Sequence, residues 1–228
     1  MPIRSTRGTT PGGKGRFPGF DVLDEVPRWD EVTAGVVLAR LDPFPDHSFF
    51  TPEEFATLRA LLDVLLGQRE EPRVPLARMV DQRLALGETD GWFYEDMPPD
   101  GEAWRRTLGF VDLDARTRFG RPFAELAWSD QADLVQAVQD ADDYHGLPAG
   151  HVWSLWTRYA CAAFYSHPWA WNEIGFGGPA YPRGYKAIGV DQRERWERQE
   201  VDARDPVPWA ERVEQARRIH EHGSTGTG

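Results

Sequence analysis

The side chains best suited to metal chemistry lie in one stretch of the sequence. Asp142 and His145 are three residues apart near the end of a predicted helix, and His151, His167 and Glu173 follow within one predicted helical hairpin. Imidazole and carboxylate groups are common metal ligands. A di-metal centre in a helical bundle, however, needs two Glu-x-x-His motifs and two further carboxylates, and this chain has a single Asp-x-x-His. The stronger interpretation is that His145 stabilises the C-terminal end of a helix.

The sequence contains no motif for nucleophilic catalysis or for binding a phosphate or dinucleotide. The sequence has no Gly-x-Ser-x-Gly elbow, and its one cysteine, Cys161, lies in an alanine-rich predicted helix where we expect a buried structural thiol. The glycine-rich segments 8–15 and 176–178 lack the spacing of phosphate-binding loops, and no dinucleotide fingerprint is present. We therefore expect no flavin or nicotinamide site in this chain.

His167 precedes Pro168, and a residue before proline is disfavoured in helical geometry. We expect His167 to form the junction between two helices. Its ring is expected to make a structural hydrogen bond rather than to transfer a proton.

The segment from Phe164 to Tyr185 has the most distinctive composition, and it reads FYSHPWAWNEIGFGGPAYPRGY. It has too much Gly and Pro for a core helix and too much aromatic surface for a solvated linker. Rigid aromatic side chains with one Arg on a restricted loop are typical of the centre of a protein–protein interface. The alternative is a turn that folds back on its own domain, since aromatic residues dominate cores as well.

We predict a partner interface formed by seven residues of this segment: His167, Trp171, Glu173, Phe176, Tyr181, Arg183 and Tyr185. Trp171, Tyr181 and Tyr185 would be its anchors. Arg183 would pair with a carboxylate or carbonyl of the partner. Alternatively, Glu173 would hold Arg183 within the chain.

The same segment resembles the C-terminal signature of the gluconate 2-dehydrogenase subunit 3 family. The similar residues are HP at 167–168, WNEIG at 171–175 and GPAYPRGY at 178–185, and the similarity extends back to about Phe17. The resemblance implies a small, flavin-free accessory subunit without a catalytic, cofactor or metal site of its own. It also implies a large flavoprotein partner of the glucose–methanol–choline oxidoreductase type, which holds FAD and oxidises a sugar, sugar acid or polyol.

Two alternatives to a permanent accessory subunit stay open at this point. One is a transient assembly chaperone that leaves once the flavoprotein is loaded. The other is a stand-alone helical enzyme with a metal held by Asp142, His145 and His167.

Charge and hydropathy restrict the partners. The formal net charge is −11 and the pI is about 5.0, and no basic stripe is visible, so neither nucleic acid nor an anionic membrane surface is an expected target. No apolar run approaches the ~20 residues of a membrane span. The first 20 residues lack the paired arginines of the twin-arginine signal that many members of the resembled family carry, so we expect a cytoplasmic location.

The predicted elements are helical. Thr51, Pro52 and Glu54 form the clearest helix start, a capping box followed by an apolar face that ends at Gly67. Further helices are predicted over residues 76–86, 102–119, 129–140 with Ser129 as the cap, 152–165 and 168–174. Segment 29–41 is compatible with a helix or a strand. The sequence thus predicts an all-α fold of five to six helices, divided into a flexible segment 1–16, a domain 17–190 with an extended N-terminal arm, and a charged helical tail 191–228 with a disordered end.

Overall fold

The computed structural model describes residues 17, 20–42, 49–69, 71, 73–190 and 192–198. This part of the chain is mainly helical. The predicted all-α class is confirmed. The α-helices are α1 Glu31–Ala39, α2 Pro52–Leu65, α3 Leu76–Ala85, α4 Asp100–Phe119, α5 Trp128–Gln139, α6 Ala149–Ser166 and α7 Pro168–Ile174. Two 3-10 helices, Val22–Arg28 and Phe123–Glu125, and one antiparallel pair of two-residue strands, β1 Asp143–Tyr144 and β2 Leu147–Pro148, complete the described part.

Helix α2 begins where the capping box predicts. The Thr51 hydroxyl accepts a hydrogen bond from the Glu54 amide at 3.2 Å, and the Glu54 carboxylate accepts one from the Thr51 amide at 2.9 Å. Pro52 occupies the first helical position, where its missing N–H costs no hydrogen bond. The prediction for this helix is confirmed.

The main core lies among helices α2 to α6, with α6 in contact with α2, α3, α4 and α5. Trp104 and Trp156 are fully buried in it. The Trp156 indole donates to the Thr107 hydroxyl at 3.0 Å, and the Trp104 ring packs edge-on against Tyr159 at a centroid distance of 5.7 Å. A buried indole N–H with a partner avoids the cost of an unsatisfied donor, so the Trp156–Thr107 bond orients α6 against α4.

A second, smaller core joins the N-terminal segment to α7. Its buried members are Phe20, Val22, Trp29, Val37 and Trp171. Residues 22 and 23, the end of the N-terminal arm that the sequence predicted to be extended, instead begin the first 3-10 helix. The Asp21 carboxylate caps this helix by accepting a hydrogen bond from the Leu23 amide at 3.0 Å. The strand alternative for segment 29–41 is wrong, because that segment forms α1.

Three local predictions are corrected. Helix α5 begins at Trp128 with Ala127 at its cap position, so Ser129 lies inside the helix and does not cap it. His145 occupies the turn between β1 and β2 with φ 52°, a left-handed conformation, and is not at a helix end. Residues 192–198 form turns and no helix, and the predictions for segments 1–16 and 199–228 lie outside the described residues.

Among the described helices, none combines the length and the apolar character needed to cross a lipid bilayer.

Candidate protein interface

His167 connects α6 to α7. Its amide donates to the Phe164 carbonyl at 3.1 Å, and its Nδ1 atom accepts from the Trp169 amide at 3.2 Å, so it ends one helix and caps the next. Burial, with a smaller contribution from the positive charge of Arg40, lowers the pKa of His167 to about 4. The ring is therefore neutral at pH 7 with Nδ1 as an acceptor. The predicted junction and structural hydrogen bond are confirmed.

Trp171 is part of the second core. Its side chain is buried, its indole nitrogen donates to the Tyr165 carbonyl at 2.7 Å, and the Phe176 ring packs edge-on against it at 5.4 Å. The Arg40 guanidinium lies over the indole at 5.5 Å. Trp171 is thus enclosed by its own chain, in contrast to the exposed anchor that the sequence suggested.

Residues 175–185, which we call the signature loop, are covered by aromatic residues from distant parts of the chain. Gly178 has φ 76°, and a Cβ atom there would meet the Trp29 ring at 2.3 Å. A Cβ atom on Gly177 would meet the Trp196 ring at 2.6 Å. Only glycine permits these approaches, so the indoles of Trp29 and Trp196 pack directly on the loop backbone.

Arg183 holds the signature loop from inside. Its guanidinium contacts the Glu25 carboxylate at 2.7 Å and donates to the carbonyl oxygens of Gly177 and Pro179, each at 3.0 Å. The guanidinium also lies over the Trp196 ring at 4.1 Å. The carboxylate that holds Arg183 within the chain is therefore Glu25, whereas the sequence suggested Glu173.

Asn172 makes a further link that sequence reasoning missed. Its side-chain oxygen accepts from the Val22 amide at 2.7 Å, and its side-chain nitrogen donates to the Asp21 carboxylate at 3.3 Å. The amide group thus ties α7 to the start of the first 3-10 helix. The available signal was that Asn172 is the sole asparagine of the chain and lies inside the WNEIG motif.

The outward side of this region is apolar and aromatic. We call it the exposed rim: Ile174, Phe176, Tyr181, Tyr185, Ile188 and Val190. Tyr181 is 66% exposed and Tyr185 is 53% exposed, with the Tyr185 ring 5.1 Å from that of Trp196. Of the seven predicted interface residues, Phe176, Tyr181 and Tyr185 point outward, and Glu173 is half-buried. The other three are buried or held by contacts within the chain, as described above.

The histidines of the metal hypothesis are separated. Among the described residues, no group of three His, Cys, Asp or Glu side chains is placed to bind a metal ion. The His145 Nε2 atom contacts the Asp114 carboxylate at 2.9 Å, and the His151 Nδ1 atom contacts Asp96 at 2.8 Å. His167 is buried at the α6–α7 junction, so the structure does not bring Asp142, His145 and His167 together.

Cys161 is exposed on α6, and the prediction of a buried thiol is wrong. The neighbouring Tyr159 and Ala160 face the core, so the next position along the helix turns toward solvent.

The fold and this region define a class: a small helical protein whose aromatic-rich loop is anchored by its own chain on one side and exposed on the other, as protein-binding surfaces are. The sequence profile of the gluconate 2-dehydrogenase subunit 3 family matches residues 52–178, more than half of the chain, and the chain belongs to this family. It is accordingly an accessory subunit of a multi-subunit dehydrogenase. No curated protein and no solved structure matches the chain significantly.

Proposed function

We propose that this chain is a non-catalytic small subunit that binds and stabilises a large FAD-dependent oxidoreductase of the glucose–methanol–choline type. That partner would act on a sugar, sugar acid or polyol and would hold the flavin. The single observation that supports this proposal most is the exposed rim: aromatic side chains on a loop whose backbone is already fixed by Arg183, Trp29 and Trp196.

An anchored loop is an efficient binding element. Ordering flexible side chains and loops at an interface costs free energy that subtracts from affinity. Here Arg183 holds two loop carbonyls, and the two indoles cover the loop glycines before any partner arrives. Tyr181 and Tyr185 then offer large, rigid apolar surface with a hydroxyl at its edge, a combination that interfaces favour.

The role that follows is physical rather than chemical. The subunit would cover apolar surface of the flavoprotein and so favour its folded, flavin-bound state. Any protein that binds only the folded form of its partner raises the stability of that form by mass action.

The experiment is co-expression of this chain with the large flavoprotein subunit of its complex, followed by size-exclusion chromatography with absorbance recorded at the flavin band. We expect one yellow peak that contains both chains in fixed ratio. The large subunit expressed alone is expected to be insoluble or to lose flavin. A colourless chain that elutes alone beside an active flavoprotein would contradict the proposal.

The ratio in the peak separates a permanent subunit from a chaperone. A permanent subunit stays in fixed stoichiometry with the active, flavin-loaded enzyme. A chaperone is present with the flavin-free large subunit and is absent from the active fraction.

A further inference from the structure

Helix α1 presents an apolar face to solvent in addition to the one it buries. Val37 is buried in the second core, whereas Val32 is 74% exposed, Val36 is 54% exposed, and Ala39 is also exposed. These three exposed residues are spaced i, i+4 and i+7, so they share one side of the helix. Glu31 is the only charged residue among the nine of α1, in a chain that is 28% charged. Such a face differs from an ordinary solvated helix surface.

The exposed face of α1 leads into a cavity of about 400 Å³ between α1, α3 and α6. Ala39, Leu86 and Ala162 contribute apolar lining, and Leu86 is 65% exposed. The two arginines of the wall are already paired: Arg40 donates to the Ser166 carbonyl at 2.8 Å, and Arg83 contacts the Asp90 carboxylate. Because both guanidinium groups already make these contacts within the chain, the cavity suits an apolar side chain better than an anion.

The α1 face and the exposed rim are joined through shared contacts. Arg40 lines the cavity and lies over the Trp171 ring, and Phe176 of the rim packs edge-on against the same ring. Val37, on the buried side of α1, belongs to the same core as Trp171. The two apolar surfaces thus lie on one packed structural unit.

The size of the rim favours an interface that extends beyond it. A stable protein–protein contact uses roughly 20–30 residues from each side, and permanent contacts are larger and more apolar. The exposed rim supplies six apolar side chains. A permanent subunit contact therefore needs more apolar surface nearby, and the α1 face with its cavity provides it.

We propose that the exposed face of α1 and the α1–α3–α6 cavity form a second docking surface for the same dehydrogenase subunit that the exposed rim binds. An apolar segment of that subunit lies along Val32 and Val36, and one of its apolar side chains enters the cavity beside Leu86. This inference rests on the proposed function and extends it to a second face of the chain.

The test compares two charge-introducing variants with a matched control. Val36→Asp and Leu86→Asp place a carboxylate on the proposed surface, and Leu113→Asp places one on α4 at a position that is 52% exposed. Each full-length variant is co-expressed with the large subunit, and the Kd is obtained from the dissociation of the purified complex on dilution. We expect Kd to rise at least tenfold for the first two and to stay within twofold of wild type for Leu113→Asp. Thermal unfolding of the free variants checks that each is folded.

The outcomes distinguish this inference from the proposed function. If the wild-type chain does not bind the large subunit, the proposed function itself fails. If the wild type binds and Tyr181→Ala weakens binding, while Val36→Asp binds as the wild type does, only the second surface is wrong.

A photo-cross-linking amino acid in place of Val32 identifies the occupant directly. In the purified complex we expect cross-links to the large subunit. The proposal would be overturned if the complex gave no cross-links to the large subunit and Val32 instead cross-linked to a second copy of this chain or to its own residues 199–228.

Discussion

The Glu25 carboxylate and the Arg183 guanidinium are in contact at 2.7 Å although 158 residues separate them in the sequence. Their side chains are 2% and 12% exposed. The same carboxylate also contacts Arg28, whose side chain is 60% exposed, at 2.7 Å. The pair fastens the first 3-10 helix to the signature loop, so the surface that the loop displays depends on the N-terminal segment.

Removal of the buried Arg183 should lower the free energy of unfolding far more than removal of the exposed Arg28. Arg183→Ala leaves two loop carbonyls without this donor and leaves the buried Glu25 carboxylate with only the exposed Arg28 of its two arginines, and we expect the free energy of unfolding to fall by about 3 kcal/mol. Arg28→Ala, which removes an exposed arginine from the same carboxylate, is expected to cost less than about 1 kcal/mol. Urea unfolding of both variants measures the difference, and equal losses would show that burial is not the deciding factor.

Gly178 tests the packing of the N-terminal segment on the signature loop. Gly178→Ala adds left-handed strain and a clash with Trp29, and we expect a loss of about 3 kcal/mol in unfolding free energy. Gly184→Ala is the matched control, because Gly184 has φ 68° and no atom within 4 Å of its added Cβ. The control should cost about 1 kcal/mol, from strain alone. Similar losses in the two variants would mean that Trp29 does not pack on the loop.

His167 predicts a defined pH dependence of stability. Its folded-state pKa of about 4 lies below its usual value of 6.5, so between these values the unfolded state binds more protons than the folded state. The neutral His167 ring therefore contributes about 3 kcal/mol to the free energy of unfolding above pH 6.5. This contribution is lost as the pH falls from 6.5 through 4. His167→Asn keeps a capping oxygen but removes the titration. Urea unfolding at pH 7.5 and 4.5 should show a smaller pH effect in the variant than in the wild type, and an equal effect would contradict the assignment.

Tyr181 tests the exposed rim without disturbing the fold. It is 66% exposed, so Tyr181→Ala should leave the unfolding free energy of the free subunit within about 0.5 kcal/mol of wild type. Binding to the large subunit should weaken by more than about 1 kcal/mol, because tyrosines at interface centres carry much of the binding energy. Leu113→Ala, an exposed apolar residue on α4, serves as the control for binding. A Tyr181→Ala variant that binds normally would remove Tyr181 from the interface.

Cys161 should react with a thiol reagent in the native protein. It is the only cysteine and is exposed on α6, so one equivalent should be labelled without denaturant. Cys161→Ser should change stability by less than about 0.5 kcal/mol, as expected for an exposed position. Labelling that requires urea would show that the thiol is buried after all.

Sequence patterns located the helices well where the controlling signals are local. The capping box at Thr51 and Glu54 marked the start of α2, and the His-Pro step at His167 marked the junction of α6 and α7. Local signals failed at Ser129, which lies one residue inside α5, and at the hairpin, where His145 and Gly146 both have positive φ. Two-residue strands are too short to produce a readable alternation, so only the His-Gly turn remained as a signal.

The sequence by itself determined the helical class, the family and the presence of an aromatic, turn-rich segment after α6. These follow from periodicity, from caps and from motif residues that are close together in the chain. The tertiary structure alone decided which side chains of that segment point outward. Trp171 and Arg183 are enclosed by Phe20, Trp29 and Glu25, which lie about 150 residues away, whereas Tyr181 is 66% exposed. Burial depends on contacts between distant segments, and composition cannot reveal which of two similar aromatic residues those segments will cover.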